Sequence, residues 1–158
     1  MRTIGKSPTV NHDSDLQRKN EGKELHIVLP LAPTINHAYF TTRFGGRALK
    51  KHGREWMQAA QSILNHEVKR QGWELVKDEK IKVDILTVFP DRRRRDSHNT
   101  LKLLLDAPHG YVYEDDKVVL PRCVDYKVDK NNPRSELVFS MFDEEKDGWK
   151  YDEIKEGK

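Results

Sequence analysis

The chain has 158 residues, a size that suits one domain built on a single core. Charged residues make up 35% and apolar residues 35%, and the net charge is only +3, so the total favours no class of partner and local clustering has to be read instead. No run approaches the ~20 apolar residues of a membrane span, and the polar start from Met1 to Glu24 lacks the apolar centre of a secretory signal, which implies a cytoplasmic protein with no membrane partner.

Residues 1–23 are rich in Lys, Asn, Asp, Ser and Gly and read as a flexible polar arm, because they offer little to bury against the cost of ordering them. Glu24 to Leu29 alternates as a strand does, and Pro30 with Pro33 ends it in an irregular loop that carries Asn36, His37, Tyr39 and Phe40. From Leu49 to Arg70 the residues Trp56, Ala60, Ile63, Leu64 and Val68 recur at helical spacing, with Gly72 as the stop, and Trp56 belongs to the buried stripe. Lys80 to Phe89 sets Ile81, Val83, Ile85 and Phe89 on one face, while Leu86 and Val88 imply cover on both faces at its end, so a central strand is expected. Leu101, Leu104 and Leu105 mark a short helix that stops before Pro108, and Leu103, on its other side, is a candidate for a subunit contact.

Two strands follow, Lys117 to Val128 and Ser135 to Met141, joined through the turn-rich Lys130, Asn131, Asn132 and Pro133 as a hairpin. The lone Cys123 lies in an apolar run, where burial as a small hydrophobe is expected. Residues 143–158 form a charged tail around Trp149, Tyr151 and Ile154, either frayed or a weakly docked helix. The order indicates an α+β domain over residues 24–142, with a small mixed β-sheet and two main helices on one face.

The segment richest in chemistry runs from Asp91 to Lys102, where the central strand gives way to the short helix. Arg92, Arg93, Arg94 and Arg95 together offer planar forked donors that match phosphate oxygens, although a solvated charge run or a localisation signal has the same composition. Asp96 stands where a helix N-cap belongs, and capping does not preclude metal binding. With the helix starting there, His98 and Lys102 are spaced i,i+4, so imidazole, carboxylate and ammonium share one end of one face. Glu114, Asp115 and Asp116 concentrate three carboxylates before the next strand, a costly arrangement unless solvent or a cation relieves it.

Taken together these segments resemble the RusA-like Holliday junction resolvases of bacteria and their prophages. The resemblance extends from about Leu25 to Met141. It is strongest over Phe89, Pro90, Asp91 and Arg92 to Asp96, followed by Asn99, Lys102, Asp106, Gly110, Asp115, Asp116, Asp125 and Tyr126, with a further echo in the proline-rich stretch Leu29 to Asn36. It implies a homodimer that binds four-way DNA junctions and, with Mg²⁺ or alternatively Mn²⁺, nicks two strands related by symmetry, in DNA recombination and repair. By the same resemblance Asp96 and Asp116 are metal-binding catalytic aspartates, Asp115 is their acidic neighbour and Lys102 is the catalytic lysine.

His98 is the departure, since the family motif has aspartate there. Either His98 itself ligates, or Asp115 or Asp106 supplies the missing oxygen, or His98 is a bystander. DNA would be held by Arg92 to Arg95 with Asn36, Arg43, Arg47, Lys50 and Lys51 as helpers, through phosphate contacts that do not read sequence. Two rival readings remain, a nucleic-acid-binding protein that has lost its chemistry and a less selective nuclease of flaps or forks.

Overall fold

In the computed structural model, which describes residues 19–150, strand β1 (Glu24–Pro30) lies at one edge of a four-stranded mixed sheet. It pairs antiparallel with β6 (Arg134–Met141), which pairs antiparallel with β4 (Ile81–Phe89), and β4 pairs in parallel with β5 (Val119–Val128) at the opposite edge. Residues 1–18 of the expected arm and residues 151–158 of the tail, with Tyr151 and Ile154, lie outside the described residues.

The period of two seen in the sequence becomes one buried face. The register aligns Leu25 with Phe139 and Val83, and Ile27 with Leu137 and Ile85, all of them buried. Helix α2 (Lys51–Arg70) closes this face through Trp56, Ala60 and Leu64, packing against β1, and the Trp56 indole donates to the Pro30 carbonyl at 3.0 Å. At the end of β4 Val88 and Phe89, on opposite faces, are both buried, whereas Leu86, expected to be covered as well, is only half-buried.

Three expectations need correction. The stretch after Pro30 is ordered: it forms the short helix α1 (Ile35–Ala38) and a small hairpin of β2 (Tyr39–Thr41) and β3 (Arg47–Leu49). A Cβ on Gly53 of α2 would stand 2.7 Å from the Ala38 carbonyl oxygen, so only glycine lets the root of this hairpin sit so close to the helix. The second correction concerns β5 and β6, which are not a hairpin. Strand β4 lies between them, and the link of residues 129–133 crosses its end, where the Asp129 amide bonds the Phe89 carbonyl at 2.8 Å. The crossing spans two strand spacings, about 10 Å, within the reach of a five-residue link. Pro121 suits β5 to the edge, because it cannot donate to a second ladder.

Third, Leu103 and Cys123 exchange places with respect to solvent. Leu103 on helix α3 (Leu101–Asp106) is 1% exposed and belongs to the core, so it offers no subunit contact. Cys123 lies in the same row as Ile85, on the buried face of the sheet, yet is exposed because no α-helix among the described residues covers β5. The charged end keeps one short turn, α4 (Glu144–Asp147), whose Asp147 carboxylate pairs with Lys82 at 2.7 Å. At the other end Asn20 is buried and exchanges two hydrogen bonds with the Glu74 backbone, at 2.7 and 2.8 Å. No helix among the described residues is long and apolar enough to cross a membrane.

Candidate active site

Strand β4 delivers the chain to Pro90, and the next residues fold back over the sheet toward β5. Asp91 organises this loop. Its carboxylate accepts from Arg93 Nε and Nη2, at 3.0 and 2.8 Å, and from both Nη atoms of Arg95. The two guanidinium groups, Arg95 first, hold the Asp91 carboxyl far below the usual carboxylate range. The Arg95 guanidinium also lies 5.5 Å from the Phe89 ring centroid. The four arginines are therefore unequal: Arg93 and Arg95 are engaged, whereas Arg92 and Arg94 are exposed and have no ion-pair partner among the described residues.

Asp96 opens a 3-10 turn, Ser97–Thr100, that leads directly into α3. As the sequence suggests, it is the N-cap. Its Oδ1 accepts from the His98 amide at 2.9 Å and lies 3.0 Å from the imidazole Nδ1. The amide first and the imidazole second lower the Asp96 pKa, so the group stays ionised. Both bonds fall on Oδ1, and Oδ2 has no hydrogen-bond partner among the described residues. The Cys123 thiol is pushed up by partial burial and then by the Asp96 charge, so the two groups lie near each other. A groove of about 590 Å³ is lined by Asp96, His98, Tyr126 and the arginines.

Lys102, one turn further along α3, reaches the Asp106 carboxylate at 3.0 and 3.3 Å. Tyr39 of β2 donates to the same carboxylate at 2.8 Å, and the Lys102 ammonium lies 5.8 Å from the Tyr39 ring centroid. Burial, then the bond to Asp106, raises the Tyr39 hydroxyl well above its ordinary pKa, so it remains a donor. Lys102 is thus held between a carboxylate and an aromatic face. The Asp106 partnership with Tyr39 was missed in the sequence, where nothing local joins positions so far apart.

The acidic turn divides its labour. Asp115 caps the 3-10 turn Asp116–Val118, accepting from the Lys117 amide at 3.0 Å and pairing with the Lys117 ammonium at 3.5 Å. Asp116 is exposed, and its charge joins that of Asp106 in raising the Tyr113 hydroxyl, after the larger effect of burial. Tyr113 bonds the Leu105 carbonyl and so ties the acidic turn to the end of α3.

Asn36, Arg43, Arg47 and Lys50 line the α1 and hairpin side, all exposed. Lys50 donates to the Asn36 carbonyl at 3.1 Å, and the Arg47 charge is felt at the Tyr39 hydroxyl. Among the described residues no three His, Cys, Asp or Glu side chains gather round one point. An ion held by one or two carboxylates and completed by water and substrate phosphate needs no such cage, and hard, exposed, ionised oxygens fit Mg²⁺ or Mn²⁺ of that kind.

Comparison with known proteins decides the family. The family model Endodeoxyribonuclease RusA matches residues 30–138. The chain belongs to the RusA family. The matched span runs from the end of β1 into β6 and takes in the loop of Asp91, the turn at Asp96, α3 and the acidic turn. RusA proteins are endodeoxyribonucleases, hydrolases that act on branched DNA junctions. No curated protein gave a match.

Proposed function

We propose that this RusA-family chain is a divalent-metal-dependent endonuclease that resolves four-way junctions as a homodimer, in DNA recombination and repair. The observation that carries the reading is the position of Asp96, an ionised carboxylate with one oxygen unpartnered among the described residues, between the arginine loop and the clamped Lys102 along the chain. Arg92 and Arg94 would dock the phosphate backbone, assisted by Asn36, Arg43, Arg47 and Lys50. Asp96 and Asp116, with His98 beside the first and Asp115 behind the second, would hold Mg²⁺ or Mn²⁺, which when bound supplies charge neutralisation at the phosphate and a more acidic water. Lys102 would stabilise charge on the phosphate oxygens as the P–O bond breaks, or give its proton to the leaving oxygen. A symmetric pair of such sites suits paired nicks. Leu120 and Val124, exposed on the edge strand β5 and outside the lining of the groove at Asp96, support a contact between copies there in place of one at Leu103.

A synthetic four-way junction incubated with Mg²⁺, Mn²⁺ or chelator tests the whole reading. Symmetric nicks with either ion and none with chelator are expected, and cutting that persists in chelator would refute it. The arginine loop gives a sharper test. Replacing Arg92 and Arg94 with alanine should flatten the dependence of junction affinity on salt by about two slope units, one per phosphate contact. Arg93→Ala should cost less than one, because Asp91 already offsets its charge. Equal slopes for the two variants would overturn the division between free and engaged arginines.

His98→Asp restores an oxygen donor that needs no deprotonation near neutral pH. It should raise cleavage with Mg²⁺ several-fold relative to cleavage with Mn²⁺. An unchanged ratio would make His98 a bystander.

A further inference from the structure

The most exposed large apolar side chain among the described residues is Phe44, 95% exposed at the tip of the β2–β3 hairpin. Nothing in the chemistry above uses it. The tip is closed by defined bonds: the Thr42 amide reaches the Gly46 carbonyl at 2.7 Å and the Gly45 amide reaches the Thr42 carbonyl at 3.0 Å, with Gly45 at φ +81°. Phe44 is therefore presented outward by the turn and has no core to fold back on.

Its neighbours are cationic. Arg43 and Arg47 flank it, both exposed and without ion-pair partners among the described residues. The hairpin root is fixed at the other end, where Tyr39 shares the Asp106 carboxylate with Lys102 and Gly53 permits close packing against Ala38. The hairpin thus joins the proposed catalytic lysine at its root to an exposed aromatic residue at its tip, with Arg43 and Arg47 on either side in the sequence.

A fully exposed phenyl group between cations suits a ligand that is both polyanionic and flat. A nucleobase meets that description only where its π-face is uncovered. In a continuous duplex each base is stacked on its neighbours, whereas at a branch the stack is interrupted and a face can be opened to an inserted side chain. The extended part of the arm, Tyr39 to Thr42, spans about 10 Å before the turn that carries Phe44, or about three base steps at 3.4 Å each.

We propose that Phe44 stacks on a base at the DNA branch point, with Arg43 and Arg47 on the adjoining phosphates, and that this contact lets the protein distinguish a junction from linear duplex. The proposal rests on the reading of branched DNA as substrate and adds to it the residue that senses the branch. It also fixes the branch a few base steps from the phosphate that faces Lys102.

The test compares wild type, Phe44→Ala and Phe44→Trp for binding to a four-way junction and to a linear duplex of matched arm sequence, in chelator so that nothing is cut. Because Phe44 is nearly all in solvent, its removal leaves the fold intact. Phe44→Ala should weaken junction binding about tenfold, within the range for loss of one stacked base, and should leave duplex binding within about twofold; Phe44→Trp should bind both as wild type does. 2-Aminopurine placed at successive steps from the branch should change its fluorescence on binding wild type at one position, and that change should vanish in Phe44→Ala. If wild type prefers the junction and Phe44→Ala prefers it equally, the branch-sensing role is overturned while the endonuclease reading stands. A parallel loss on junction and duplex would likewise overturn it, reducing Phe44 to a general contact. If wild type shows no preference for the junction, the substrate reading fails and the proposal fails with it.

Discussion

Asp96→Asn is expected to lower junction cleavage by about 10³-fold or more, the upper end of losses seen when a single group that stabilises transition-state charge is removed. Junction affinity in chelator should be unchanged or slightly higher. Asparagine keeps the shape of the side chain and caps about as well as aspartate, so the bond from the His98 amide survives and the turn into α3 should hold. What disappears is the negative charge at Oδ2, without which a divalent cation loses its anchor. Before any cation binds, that charge repels phosphate, so affinity has nothing to lose. A cap without a catalytic role would predict near wild-type cutting. Single-turnover cleavage of a junction that the variant demonstrably binds separates the two, and wild-type rates there would sink the assignment of Asp96.

Lys102→Met should cost about 10²- to 10³-fold in single-turnover cleavage, on the scale of one lost donor to a developing oxyanion. Methionine preserves much of the aliphatic stem, so packing is disturbed little, and what is lost is the ammonium that lies 5.8 Å from the Tyr39 ring centroid. The Asp106 carboxylate loses one partner and keeps the Tyr39 hydroxyl. Junction affinity should fall by no more than a single phosphate contact implies. A solvated lysine in an ordinary i,i+4 pair contributes only about 0.3–0.5 kcal/mol to stability and nothing to rate. Cleavage by Lys102→Met equal to wild type would assign it that minor role.

The parts of this molecule that repeat with a period were legible in the sequence. The stripe of Trp56, Ala60 and Leu64 and the alternation of Ile81, Val83 and Ile85 specify α2 and β4, because burying one face fixes both phase and register. The Asp96 cap was legible for a similar reason, since it depends on an amide two residues away. Cys123 was misread because composition reports what a residue prefers, whereas its exposure is decided by whether a helix reaches the edge of the sheet.

The expected hairpin does not form because β5 and β6, adjacent in the chain, are separated in the sheet by β4, and Pro121 fits β5 to a position with one free edge. In the site, the arginine run reads as four equal charges until Asp91 is seen to engage two of them. The bond from Tyr39 to Asp106 joins β2 to α3, a tertiary contact that leaves no trace in local pattern.

The place of β6 in the sheet has a consequence for biosynthesis. Glu24 pairs with Ser140 and Val83 with Phe139, so the strand between β1 and β4 is contributed by residues translated long after both. Until Arg134 to Met141 has left the ribosome, β1 has no ladder partner among the described strands and β4 can pair there only with β5. Contacts of such sequence separation form slowly, because the loop must close before the pairing rewards it. The nascent chain therefore holds β1 under α2 and β4 beside β5 without the strand that joins them, and the four-stranded sheet can close only after synthesis has passed Met141.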